Sequence, residues 1–229
     1  MPRPFTVDPD VMARIRPMQA RDAQRVAELH HAAMGDSLWA RLGVPFLREL
    51  YLGLVDSPLF LAFVYEEELD GQRRVRGFIA GTQDGSEMMG QVFKRRFLTL
   101  GALAAIGLAR SPGAVKPLLQ TARYFSASSA ADDQPVPAES MFCSFEPDLR
   151  GKRVSGHINK VLFDDLLARG HRHVKVTTEV DNVGANRQLT SWGFEDRGRF
   201  TFYDKEMVRY VLDLAESDRV EPVSRHPAV

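Results

Sequence analysis

The stretch from Ser140 to Ala168 restricts this chain more than any other. Ser140–Phe145 reads as a strand. Pro147–Gly151 reads as a turn, and Val154–Ala168 reads as a helix with Ile158, Val161, Leu162, Leu166 and Leu167 on one side. Gly170 caps that helix. Between strand and helix stand Arg150, Gly151, Lys152 and Arg153. The first turn of a helix leaves backbone N–H groups without intrahelical acceptors, and its dipole favours negative charge. Basic side chains there oppose the dipole unless an anion sits among them. The segment is therefore expected to cradle a phosphate. The alternative is a charged helix start with no ligand.

A second stretch follows a β-branched strand, Val174–Val180. It runs Asn182-Val183-Gly184-Ala185-Asn186-Arg187-Gln188-Leu189-Thr190-Ser191-Trp192-Gly193-Phe194. Asn182 can hydrogen-bond across a gap between splayed strands, or simply cap the helix that follows. Ala185 is small enough for a close approach. Gly193 ends the short helix, and Phe194 opens the next strand.

The two stretches together resemble the coenzyme-binding core of the GNAT acyltransferases. The segment Phe145-Glu146-Pro147-Asp148-Leu149-Arg150-Gly151-Lys152-Arg153-Val154-Ser155 is similar to the family's pyrophosphate loop, V-x-P-x-x-R-G-x-G-x-G/A. Pro147, Arg150 and Gly151 match, and Ser155 replaces a small residue. Arg153 stands where the family has its second glycine. A register that puts Gly156 at that glycine leaves Pro147 too far upstream. The second stretch is similar to N-x-x-A-x-x-x-Y-x-x-x-G-F, with Asn182, Ala185, Gly193 and Phe194 matching and Leu189 in place of the tyrosine. The run Leu42-Gly43-Val44-Pro45-Phe46-Leu47 looks like bacterial members of unassigned substrate.

This resemblance implies an α/β fold with a mixed, mostly antiparallel central sheet flanked by helices. It also implies direct transfer of an acyl group from coenzyme A, with acetyl-CoA as co-substrate and no metal, to a primary amine on a small molecule or peptide. Coenzyme contacts would come from Phe145, Arg150, Gly151, Lys152 and Arg153. Val154, Ser155, Asn182 and Ala185 would complete them. Backbone N–H groups near Phe145 would hold the charge that develops on the thioester oxygen. A base is needed to take the amine proton. Glu146, at the end of the central strand, is the first candidate, and Glu139, at its start, is the second. With Leu189 unable to donate a proton to the departing thiolate, Tyr203 is the substitute, against its reading as a wet surface tyrosine. Arg153 and Leu189 also keep open a coenzyme A-binding regulatory module without turnover.

The rest of the chain is consistent with one domain over residues 1–215. Arg14–Met18 reads as an edge strand. A helix follows Asp22, with Val26, Leu29 and Ala33 on its apolar face, and Pro45 opens another. Leu59–Tyr65 and Val75–Thr82 form a hairpin around a charged turn with Asp70-Gly71. Phe194–Phe202 and Met207–Leu214 close the domain as a final hairpin. Residues 86–137 are a helical insertion between the third and fourth strands, read as two helices broken at Ser111-Pro112-Gly113. Insertions of this length are usually functional. A lid over the acceptor site, a homodimer surface and, given Lys94, Arg95 and Arg96 ahead of the apolar run Phe97–Ala109, a membrane-surface contact all fit. That run is shorter than the about 20 residues of a spanning helix, so stable membrane insertion is not expected. Residues 216–229 read as a disordered tail.

Lys plus Arg is 30 and Asp plus Glu is 30, which gives no overall basic excess for nucleic acid. The one cysteine, Cys143, excludes an internal disulfide and suits a cytoplasmic location. Cys143 reads as a small core residue rather than a nucleophile. The 6 histidines show no zinc spacing.

Overall fold

The structure is a computed structural model. It describes residues 5–34, 37–110, 136–202 and 204–226, apart from the side chain of Leu38. Seven strands form one sheet: β1 (Ile15–Pro17), β2 (Phe60–Leu69), β3 (Gln72–Thr82), β4 (Glu139–Phe145), β5 (His173–Glu179), β6 (Glu195–Phe202) and β7 (Lys205–Asp213). Their order is β1-β2-β3-β4-β5-β7-β6. Every neighbouring pair is antiparallel except β4 and β5, which run parallel.

The first hairpin is tighter than the charged turn expected over Glu66–Arg74. Asp70 and Gly71 both take positive φ (52° and 73°), the backbone of a two-residue hairpin turn that Asp-Gly favours. The ladder therefore continues to Leu69↔Gln72 and sets Glu67 opposite Arg74 and Glu68 opposite Arg73. Cross-strand pairs of opposite charge stabilise such a ladder.

Helices cover both faces of the sheet. On one face lie α2 (Ala23–Ala33), α3 (Leu38–Arg41) and α4 (Val44–Val55), packed through Val26, Phe46, Leu50 and Leu54 onto Phe78 and Ala80. On the other lies α7 (Val154–Ala168), with Ile158, Leu162 and Phe163 against Leu61, Phe63 and Ile79. A short α1 (Pro9–Ala13) and α8 (Val183–Trp192) flank α7.

The insertion begins with α5 (Gly85–Arg95) and α6 (Phe97–Arg110). The break between these helices comes at Arg96, earlier than expected; Ser111-Pro112-Gly113 lies outside the described residues. Arg96 reaches back to α4, where it pairs with Glu49 and, at 2.7 Å, with Asp56. Gly53 makes room for it, since a Cβ there would meet Arg96 Cδ at 2.8 Å. At Gly107 a Cβ would lie 2.7 Å from the Leu42 carbonyl oxygen, so α6 crosses close to the backbone ahead of α4.

One polar pair is sealed inside the first core. His30 and Tyr51 are fully buried, with His30 Nδ1 2.8 Å from the Tyr51 hydroxyl and His30 Nε2 unpartnered. Burial, helped by the charge of His31, pushes the His30 imidazole down to about 4. Protons then bind the unfolded chain more readily than the folded one between the ordinary pKa of about 6.5 and about 4. Stability is full above pH 6.5 and is lost as the pH falls through this window, by roughly 3 kcal/mol in all. Urea midpoints measured from pH 7 to pH 4.5 should show this slope, and His30→Phe should flatten it.

The tail expected to be disordered is instead docked on α7 as far as residue 226. Asp165, fully buried, accepts hydrogen bonds from Ser224 Oγ (2.6 Å) and from the backbone N–H groups of Arg225 and His226. Asp164 accepts from the Glu221 N–H at 2.8 Å, and Lys160 donates to the Arg219 carbonyl at 2.8 Å. The outer face of α7 is polar in sequence because it meets chain rather than water.

Candidate functional site

β4 and β5 run parallel yet share a single register pair, Glu139↔Lys175. Beyond that pair the strands diverge, and a cleft of about 620 Å³ opens between them. Met141, Phe142 and Cys143 of β4 line it, with Val176, Thr177 and Thr178 of β5 opposite. Asn159 of α7 and Asn182, Ala185 and Leu189 of α8 wall one side of the sheet; Ala33, Met34 and Ser37 wall the other. The cleft thus reaches both faces of the sheet.

The backbone of β4 faces this gap. The Glu146 N–H bonds the Arg76 carbonyl across β3 at 2.9 Å. Alternation along an antiparallel ladder then turns the N–H and C=O groups of Phe145 and Cys143 away from β3, towards the cleft. Between Ala80 and Gly81 the register shifts, which leaves Met141 as the extra residue of a bulge on β4.

The basic loop sits at the open end of the splay. Arg150, Gly151, Lys152 and Arg153 are all exposed. Gly151 has φ of 79°, and a Cβ there would meet nothing within 4 Å. Arg153, at the position where GNAT loops carry glycine, takes φ of 61° and is the N-cap of α7. The left-handed conformation costs a non-glycine residue roughly 1 kcal/mol. His157 braces it: its Nε2 accepts the Asp8 N–H, so Nδ1 carries the proton and donates to the Arg153 carbonyl at 2.8 Å. Val154, Ser155 and Gly156 follow as the first helical turn, where N–H groups lack intrahelical acceptors. Gly156 has a packing reason of its own, because a Cβ there would lie 2.9 Å from the Phe5 ring.

The predicted site residues fall into three groups. Asn182 and Ala185 line the cleft, and the Asn182 side chain caps α8 by accepting the Ala185 N–H at 3.2 Å. The strand-to-helix hydrogen bonds come instead from Asn186, whose Nδ2 donates to the carbonyls of Glu179 and Val180. Glu146 does not face the cleft. Its carboxylate is held by Arg25 and by Arg76 Nε (2.7 Å), and Arg76 also grips Glu67 and Asp148. Both carboxylate oxygens are engaged by guanidiniums, which tie the end of β4 to α2 and β3. Tyr203 lies outside the described residues.

Glu139 does not line the cleft either, but it adjoins Ser140, which does. Glu139 sits at the closed end of the splay, half-buried, 3.8 Å from Lys175 Nζ. Burial raises its pKa above the usual carboxylate range, against the opposing charges of Lys175 and Arg209. Burial likewise pushes the Cys143 thiol up to about 12, which leaves it unreactive. The Thr177 hydroxyl is buried without a partner on the cleft wall. In the sequence it is one more β-branched residue of the strand Val174–Val180, with nothing to mark it. Among the described residues no cluster of His, Cys, Asp and Glu could hold a metal ion.

No family model matches the chain. A curated relative, mycothiol acetyltransferase of Brachybacterium faecium, is 36% identical over 62 residues, covering 27% of this chain and 19% of the relative. The match thus spans about a fifth of that relative. Among solved structures, a GNAT-family acetyltransferase candidate from Desulfovibrio desulfuricans aligns with a TM-score of 0.55 at 10% identity, over 87% of this chain and 98% of its own. Spermidine N-acetyltransferase from Vibrio cholerae aligns with a TM-score of 0.53 at 12% identity, over 88% and 94%. Identities this low speak for the fold alone.

Proposed function

The chain carries the GNAT acetyltransferase fold, and on that premise we propose that it moves an acetyl group from acetyl-CoA to a primary amine by direct attack in a ternary complex. The observation that carries this reading is the β4–β5 cleft, open on both faces of the sheet, with the basic loop following in sequence from the C-terminal end of β4. The part-length match to mycothiol acetyltransferase supports an acetyl group as the one transferred.

The residues present fit the coenzyme. N–H groups at the start of α7, together with Arg150 and Arg153, suit its pyrophosphate, and the open space over Gly151 admits a close approach; Lys152 turns to Asp148, 3.6 Å away. The unpaired edge of β4 offers hydrogen bonds to an extended amide chain, as an added strand would find. The coenzyme supplies an acetyl group activated as a thioester. Cleft-facing N–H groups of Cys143 and Phe145 are donors for the carbonyl oxygen as negative charge grows on it. Four to six residues of β4 separate Glu139 from the donors at Cys143 and Phe145, so it takes the amine proton through intervening water; a carboxylate with a raised pKa is the stronger base. Leu189 in place of the tyrosine slows the departure of the thiolate rather than forbidding it, since a thiol of pKa about 8.5 is a good leaving group, and the Thr177 hydroxyl is at hand on the wall.

Isothermal titration with acetyl-CoA tests the premise. The parent chain is expected to bind, and Arg150→Ala with Arg153→Ala to weaken binding by roughly 10–100-fold through lost charged hydrogen bonds. No binding by the parent would remove the enzyme and leave the fold. Binding without turnover on any amine would favour a coenzyme A-binding regulatory module, the reading that Arg153 and Leu189 keep open.

A further inference from the structure

The helix α6 is apolar on two sides, and only one of them is packed. Leu100, Leu103 and Leu108 join the core against α4. The opposite stripe, Leu98, Ala102, Ala105 and Ala109, recurs at helical spacing and is exposed along its whole length. Ile106 stands beside it, 49% exposed, and the helix opens with Phe97 and Leu98 at 71% and 83% exposure. A helix apolar all round is normally covered, and contiguous apolar surface of this kind marks a contact site.

Along the helix itself the free charge is of one sign, the acids Glu49 and Asp56 nearby being taken up by Arg96. Lys94 and Arg95 are exposed just before α6, and Arg110 is exposed at its end. Among the described residues none of the three has an ion-pair partner. Residues 88–110 contain no Asp or Glu, in a chain whose Lys plus Arg and Asp plus Glu balance at 30 each. No described helix is long and apolar enough to cross a membrane.

We propose that α6 lies in the plane of an anionic lipid surface, with its Leu98–Ala109 stripe in the acyl boundary and Lys94, Arg95 and Arg110 on the headgroups. Apolar burial and attraction to anionic lipid act together in such in-plane helices. A second copy of the chain fits less well. Pairing two α6 helices through the stripe sets cations against cations, whether they run parallel or antiparallel.

The test is sedimentation of the full chain with vesicles of phosphatidylcholine, with and without phosphatidylglycerol. Binding is expected only when phosphatidylglycerol is present, and should weaken as salt is raised. Leu98→Asp with Ile106→Asp, and separately Lys94→Glu with Arg95→Glu, should each weaken it by roughly tenfold or more. Neither pair should alter Tm or acetyl-CoA binding. Failure to bind phosphatidylglycerol vesicles overturns the proposal, as does binding that ignores both pairs of substitutions. A lowered Tm in the Leu98→Asp, Ile106→Asp chain would mean that the protein itself covers the stripe. A dimer in light scattering that this variant splits would assign the stripe to a second copy. Either result also overturns it.

Discussion

Glu139→Gln is expected to lower kcat for acetyl transfer by about 10²–10⁴-fold while leaving acetyl-CoA affinity unchanged. The amide keeps the size of the side chain and removes its charge and basicity. Glu139 is also a β4 residue opposite Lys175 and Thr82, so the isosteric change leaves the strand pairing in place. Glu146→Gln is the matched control. It loses part of an ion-pair cluster with Arg25 and Arg76 and should change kcat only a few-fold. The pH profile separates the two further. Because burial raises the Glu139 pKa, the rising limb of kcat/KM against pH should lie above the ordinary carboxylate range. Lys175→Met removes a charge that holds the pKa down and should move the limb higher still. Equal losses for Glu139→Gln and Glu146→Gln, or a limb that Lys175→Met does not move, would take the base away from Glu139.

Much of the fold is legible because its signals are local. Alternating and β-branched runs place all seven strands, and Asp70-Gly71 marks its hairpin. Pro147, Arg150 and Gly151 locate the loop, and the left-handed backbone at Arg153 shows why a glycine is the easier residue there. What the sequence hides is long-range. Glu146 reads as a free carboxylate at a strand end, and only the fold brings Arg25 and Arg76 to it from distant positions. The preference between Glu139 and Glu146 therefore inverts once the partners are known. The break at Arg96 is equally hidden, since no proline or glycine marks it; Glu49 and Asp56 on another helix do. Residues 216–226 read as disordered because they are polar, but their partners are the polar groups of α7.

Removing Asp165 should cost about 4 kcal/mol of folding stability, the largest loss expected from any single polar change on α7. The carboxylate is fully buried and accepts from Arg169 Nε at 3.1 Å, from Ser224 Oγ and from two backbone N–H groups of the docked tail. Hydrogen bonds to a charged group are worth about 1.5–3 kcal/mol each. The loss is smaller than their sum because a released tail regains water. In Asp165→Ala the tail should detach, exposing Val220, which is buried in the second core. Asp165→Asn keeps one acceptor oxygen and should lose about half as much. Urea unfolding at neutral pH measures both, and protease nicking after Arg219 or Arg225 reports whether the tail has left. The loop at the other end of α7 is held directly by His157 and Arg76, whereas the tail's Arg219 lies over Phe5, one ring removed from His157. Acetyl-CoA affinity in folded Asp165→Ala should therefore match the parent's. A drop in affinity would mean that the tail sets the position of the whole helix, whereas a loss below about 1 kcal/mol, within reach of an ordinary surface pair, would mean that the tail merely rests on it.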